Sequence, residues 1–164
     1  MWKHVKYFLI SLLFILIQLE LAPLLSLEGI TPDILTIWIV YIALQQGQIS
    51  ATIWGFCIGL MFDFAVGNFI GLSALSKTIV GFAAGYFYGE NKALLTLGSY
   101  RFVLIVLIVS FIHNAVYFAV FTFGSEVTVL KAIFQIGLAT TFYTAALTLL
   151  PMFVFSRKLS FYHG

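Results

Sequence analysis

Charge is what this chain has least of. Asp, Glu, Lys and Arg make up 9% of its 164 residues, while 62% are hydrophobic. Soluble domains carry about 25% charged and about 45–50% apolar residues. So few charges cannot cover a water-facing surface on a fold of this size, so the surplus apolar surface must face lipid. The net charge of +2, with no basic cluster longer than two residues, is too small to argue for nucleic acid, and no such partner is expected. A single cysteine, Cys57, excludes an intramolecular disulfide and a multi-cysteine metal site. In its apolar run Cys57 is expected as an inert packing residue, because a reactive thiolate needs a polar, electropositive setting. Alternating strand patterns are missing as well. A membrane barrel needs strands of about ten residues alternating apolar and polar, whereas the apolar runs at 102–109 and 116–123 do not alternate. With every backbone group needing an internal partner in hydrocarbon, an all-α polytopic bundle remains.

Apolar stretches of about 20 residues span a bilayer, and the pattern predicts one integral membrane domain over 1–164 with helices at 5–25, 33–44, 49–66, 70–88, 101–123 and 129–155. The second is short. Lys3 and Lys6 before an apolar stretch resemble a secretory signal, but Glu20 interrupts it before any small-residue cleavage site, so an uncleaved first helix is expected. Six helices put both termini on one side, together with Lys92, Arg101, Arg157 and Lys158. The other side has Lys131 alone, beside Glu28 and Glu126. By the positive-inside rule both termini are cytoplasmic. The connections are short, the longest about ten residues near 90–100, so no loop houses a catalytic or receptor domain.

Ionisable groups inside a span are costly and point to function. Glu20, Asp63 and Lys77 fall within roughly 10 Å of the outer helix ends, and His113 about 15 Å down. Asp63 and Lys77 are expected to form an internal ion pair; the other readings are a polar site for a solute or proton, or snorkelling to the interface. Asn114 beside His113, and Gln135, Thr140, Thr141 and Thr144 on the last helix, are suited to hydrogen bonds between helices. His113 has no second histidine at ligand spacing, and no nucleophile–base set, phosphate loop or carboxylate pair can be assembled. No metal, no cofactor and no enzymatic activity are expected.

Small residues recur every four positions on two successive helices: Ala51, Gly55, Gly59 and Asp63, then Ser73, Lys77, Gly81, Gly85 and Gly89. Residues four apart share a face, and small ones let backbones approach. Folding the helices antiparallel suggests a register that pairs Asp63 with Lys77, Gly59 with Gly81, Gly55 with Gly85 and Ala51 with Gly89.

Pro32-Asp33 opens an apolar helix that ends in Leu44-Gln45-Gln46-Gly47. Gly55-Phe56-Cys57-Ile58-Gly59-Leu60-Met61-Phe62-Asp63 follows, then Gly67-Asn68-Phe69-Ile70-Gly71-Leu72 and Val80-Gly81. In order, spacing and length this resembles the MreD family, most specifically over 31–89; Gln45-Gln46 departs from it, since relatives often carry a basic residue there. The resemblance implies a non-catalytic role in rod-shape determination in the bacterial inner membrane, with MreC, MreB, RodA and a class B penicillin-binding protein as partners. It also implies a fold similar to the substrate-binding subunits of energy-coupling-factor vitamin transporters. A solute-binding transporter subunit is the competing function.

Overall fold

The computed structural model describes residues 2–26, 30–67, 69–122 and 129–163. They are mostly helical, with no strand among the described residues. α1 (Trp2–Leu24) carries Pro23 in its last turn. α2 (Ile34–Gln46) is capped by Asp33, whose side chain accepts from the Thr36 N–H, and stops at Gly47, whose φ of 84° suits glycine. α3 (Gln48–Val66) follows at once and ends on Gly67 in the left-handed conformation, its N–H donating to the Asp63 carbonyl. α4 (Leu72–Gly85) begins after Gly71, at φ 101°. A five-residue helix, α5 (Ala93–Leu97), interrupts the connection to α6 (Tyr100–Phe121). The last rod comprises α7 (Val129–Ala132), a π-helical turn at Ile133–Gly137, α8 (Leu138–Leu147) and α9 (Leu149–His163). Pro151, without an N–H to donate, accounts for the break near Thr148.

Among the described residues three stretches are long and apolar enough to cross a membrane: Gln48–Val66, Tyr100–Phe121 and Ile133–Lys158. The chain is a membrane protein. α2 and α4, with 13 and 14 residues, reach only about 20 Å, short of the roughly 30 Å hydrocarbon core. The fourth helix is shorter than the sequence suggests, 72–85 against 70–88, because Gly71 turns the chain at one end and it leaves the helix at Tyr86. The expected turns at 26–32 and 124–129 fall partly or largely outside the described residues, and Glu28 and Glu126 lie wholly outside them.

α2 is the centre of the bundle. Leu35, Ile39, Val40, Ile42 and Leu44 are all fully buried, and a helix apolar on every side belongs inside. Ile58, Val80, Phe102, Val106 and Val109 from α3, α4 and α6 close around it. α1 attaches through Trp38, which stacks on Phe14 at 5.0 Å and donates its indole N–H to Ser11 Oγ at 2.9 Å. The outward faces are apolar: Leu9, Leu13, Phe56, Phe64, Phe153 and Val154 are all exposed. In water such a surface would be unstable; in lipid it is the ordinary exterior.

Candidate functional site around Asp33

The first turn of α2 needs acceptors for its free N–H groups, and Asp33 supplies them. Its Oδ1 accepts from the Thr36 N–H at 3.1 Å and its Oδ2 from Thr36 Oγ1 at 2.7 Å. A lone carboxylate this deep would be prohibitive. It is matched by Lys77 on α4, whose Nζ donates to Oδ2 at 2.7 Å, and by His113 on α6, with Nε2 3.2 Å from the same oxygen. Three helices therefore meet on one carboxylate. His113 lies about 12 Å from the Phe121 end of α6, so the network sits inside the membrane span.

Neighbouring polar groups fix the backbone around it. Gln18 of α1 donates from Nε2 to the Pro32 carbonyl at 3.0 Å and accepts from the Ile34 N–H at 2.8 Å. Thr144 Oγ1 of α8 accepts from the Asp33 N–H at 3.0 Å. Asn114 donates to the Gly137 carbonyl at 3.1 Å and to Thr141 Oγ1 at 3.0 Å, tying α6 to the π-helical turn. Beside the network lies a cavity of about 350 Å³ whose lining includes Gln18, Asp33, Lys77, His113, Asn114 and Thr140. Ser110 Oγ and His113 Nδ1 are buried without a hydrogen-bond partner. Among the described residues no three His, Cys, Asp or Glu are grouped to hold a metal.

The expected Asp63–Lys77 pair does not form. Asp63 caps α4 from across the turn: its Oδ2 accepts from the Gly71 N–H at 2.8 Å and the Ala74 N–H at 3.1 Å, and its Oδ1 from the Ser73 N–H at 3.2 Å. A helix N-terminus offers both the donors and the partial positive charge that a carboxylate needs, so Asp63 requires no lysine. Lys77 is thereby left to Asp33.

The register shifts with it. The small-residue stripe does face the neighbouring helix, but Gly59 lies against Ser73 and Ala74, Gly55 against Lys77, Gly81 against Ala51, and Gly85 against Gln48. Gly59 thus sits about two helical turns from the expected Gly81. A four-residue repeat fits several registers; the tight turn carrying Gly67 and Gly71 selects the one in which Asp63 reaches the start of α4. A Cβ on Gly55 or Gly81 would meet the carbonyl oxygen of Lys77 or Ala51, so these glycines are required by backbone contact. Gly89 lies beyond α4, where a Cβ would meet the Lys92 side chain first.

Glu20 and Gln135 are exposed and stand apart from the network, and Cys57 is exposed too. Gln18, two residues before Glu20, is the polar group of α1 that the sequence reading missed. Its signal was helical phase: it shares the inward face with Ser11 and Ile15, at four- and three-residue steps.

Compared with known proteins, the chain matches the family described as rod shape-determining protein MreD over residues 3–159. No curated protein and no solved structure gave a significant match. The likeness to energy-coupling-factor subunits therefore rests on the sequence resemblance alone. The match runs from the start of α1 into α9 and takes in every residue of the Asp33 network: this chain belongs to the MreD family, whose role is in rod-shape determination.

Proposed function

We propose that this protein is a non-catalytic scaffold of the bacterial cell-elongation machinery. It holds MreC in the plasma membrane and links it to MreB filaments, RodA and a class B penicillin-binding protein, with both of its own termini in the cytoplasm. The observation that carries this reading is the family match over residues 3–159. The architecture is consistent with it: the connections among the described helices are short, so docking uses membrane-facing surfaces and the helix ends. The Asp33 network then acts as an internal brace. By joining α2, α4 and α6 it fixes the faces those helices turn outward.

A second reading, a small-solute carrier subunit, is favoured by the 350 Å³ cavity, which is within the usual size of ligand sites. Against it, the two charges in the cavity wall, Asp33 and Lys77, already satisfy each other. Depleting the protein from a rod-shaped host separates the two readings. Loss of rod shape, with no stoichiometric vitamin binding by the purified protein, supports the scaffold. Normal shape after depletion, with tight vitamin binding, refutes it.

A further inference from the structure

Two cavities share a wall, the first at the end of the bundle away from Asp33 and the second running from there along α2 to Ile34. One, of about 700 Å³, is lined by Lys6 and His4 of α1 and by Gln45, Gln46 and Ser50 from the α2–α3 junction. The other, of about 480 Å³, is lined by Phe14, Leu147, Leu150, Pro151 and Phe155, with no charged side chain. Trp38 and Tyr41 border both.

We propose that this slot binds one phospholipid with an anionic head group, the phosphate beside Lys6 and His4 and one acyl chain in the apolar groove. Charge argues for the head. No carboxylate lines the first cavity, and Lys6 has no ion-pair partner among the described residues. Place argues for it as well, because Lys6 is in the second turn of α1 and Gln45 and Gln46 close α2, where the helices meet the head-group layer. The groove continues along α2 from Tyr41 to Ile34, about 10 Å toward the membrane centre, the direction an acyl chain takes. Apolar walls give a chain little that neighbouring lipids do not already give. Selectivity therefore comes from the head, at about fivefold per basic side chain.

Native mass spectrometry of the purified full chain, with phosphatidylglycerol and phosphatidylcholine of identical chains, tests this. One phosphatidylglycerol should be retained several-fold better than phosphatidylcholine, and the preference should shrink as salt rises. Lys6→Gln should reduce the preference about fivefold. Leu150→Trp, which fills the groove, should weaken retention of both lipids while circular dichroism and gel filtration remain those of the wild type. Should Leu150→Trp fail to fold, Leu147→Phe is the substitute, with the same expectation. Equal retention of the two lipids by the wild type overturns the proposal. So does either variant without effect, or a soluble phosphate ester competing as well as the lipid.

Discussion

Neutralising each end of the Asp33–Lys77 bridge in turn distinguishes a hub from a simple pair. Lys77→Met removes one donor, but Asp33 keeps Thr36 Oγ1 at 2.7 Å, the Thr36 N–H at 3.1 Å and His113 at 3.2 Å. Losing the counter-charge of a buried carboxylate costs about 3–5 kcal/mol, and the donors that remain keep Lys77→Met at the low end of that range. Asp33→Asn keeps the helix cap, since Asn caps as well as Asp, but strands the Lys77 ammonium beside His113. Leaving one buried charge unpaired costs about 3–5 kcal/mol. The double variant has no stranded charge and should cost less than the sum of the singles by about 2 kcal/mol or more, because an ion pair replaced as a unit by neutral groups is often close to neutral. The assay is reversible unfolding by SDS in mixed micelles, followed by helical circular dichroism. Costs that add to within about 0.5 kcal/mol would show the two residues to be uncoupled, and Lys77→Met costing more than Asp33→Asn would refute Asp33 as the hub.

Three further outcomes follow from the same geometry. Asp63→Ala removes three hydrogen bonds to a carboxylate and should lower stability by about 3 kcal/mol or more, and exchanging the charges, Asp63→Lys with Lys77→Asp, should give no rescue in the same titration. Gly81→Val drives a side chain into the Ala51 backbone and should cost about 3 kcal/mol or more, whereas Gly89→Val should cost less than about 1 kcal/mol; equal costs would favour the register in which both face α3. Cysteine at Ser26 in a Cys57→Ala background should react with an impermeant thiol reagent in intact cells and cysteine at Glu90 should not; the reverse pattern would invert the proposed orientation.

Length, hydrophobicity and the four-residue stripe made the helices and the α3–α4 face readable from the sequence. The register was not, because a repeat of period four is degenerate and the choice fell to Asp63. From sequence alone that carboxylate has two suitable partners, a lysine or a helix N-terminus, and only the tight turn at Gly67 and Gly71 brings the second within reach. Asp33 was visible as part of a motif, but its contact with Lys77, 44 residues away, depends on how α2 sits among its neighbours. The short α5 and the π-helical turn left no periodic signature, since each is only five residues long. Gln18 carries no charge to mark it, whereas the charged Glu20, two residues on, faces outward.

The scaffold account is tested most directly by affinity purification of the tagged protein from native membranes of a rod-shaped host, solubilised gently and probed for MreC. The account predicts that MreC co-purifies in stoichiometric amount from wild-type membranes, and that its yield falls with Asp33→Ala even when equal amounts of folded protein are recovered, since the brace sets the outward faces. Recovery of the folded wild-type protein without MreC would contradict it.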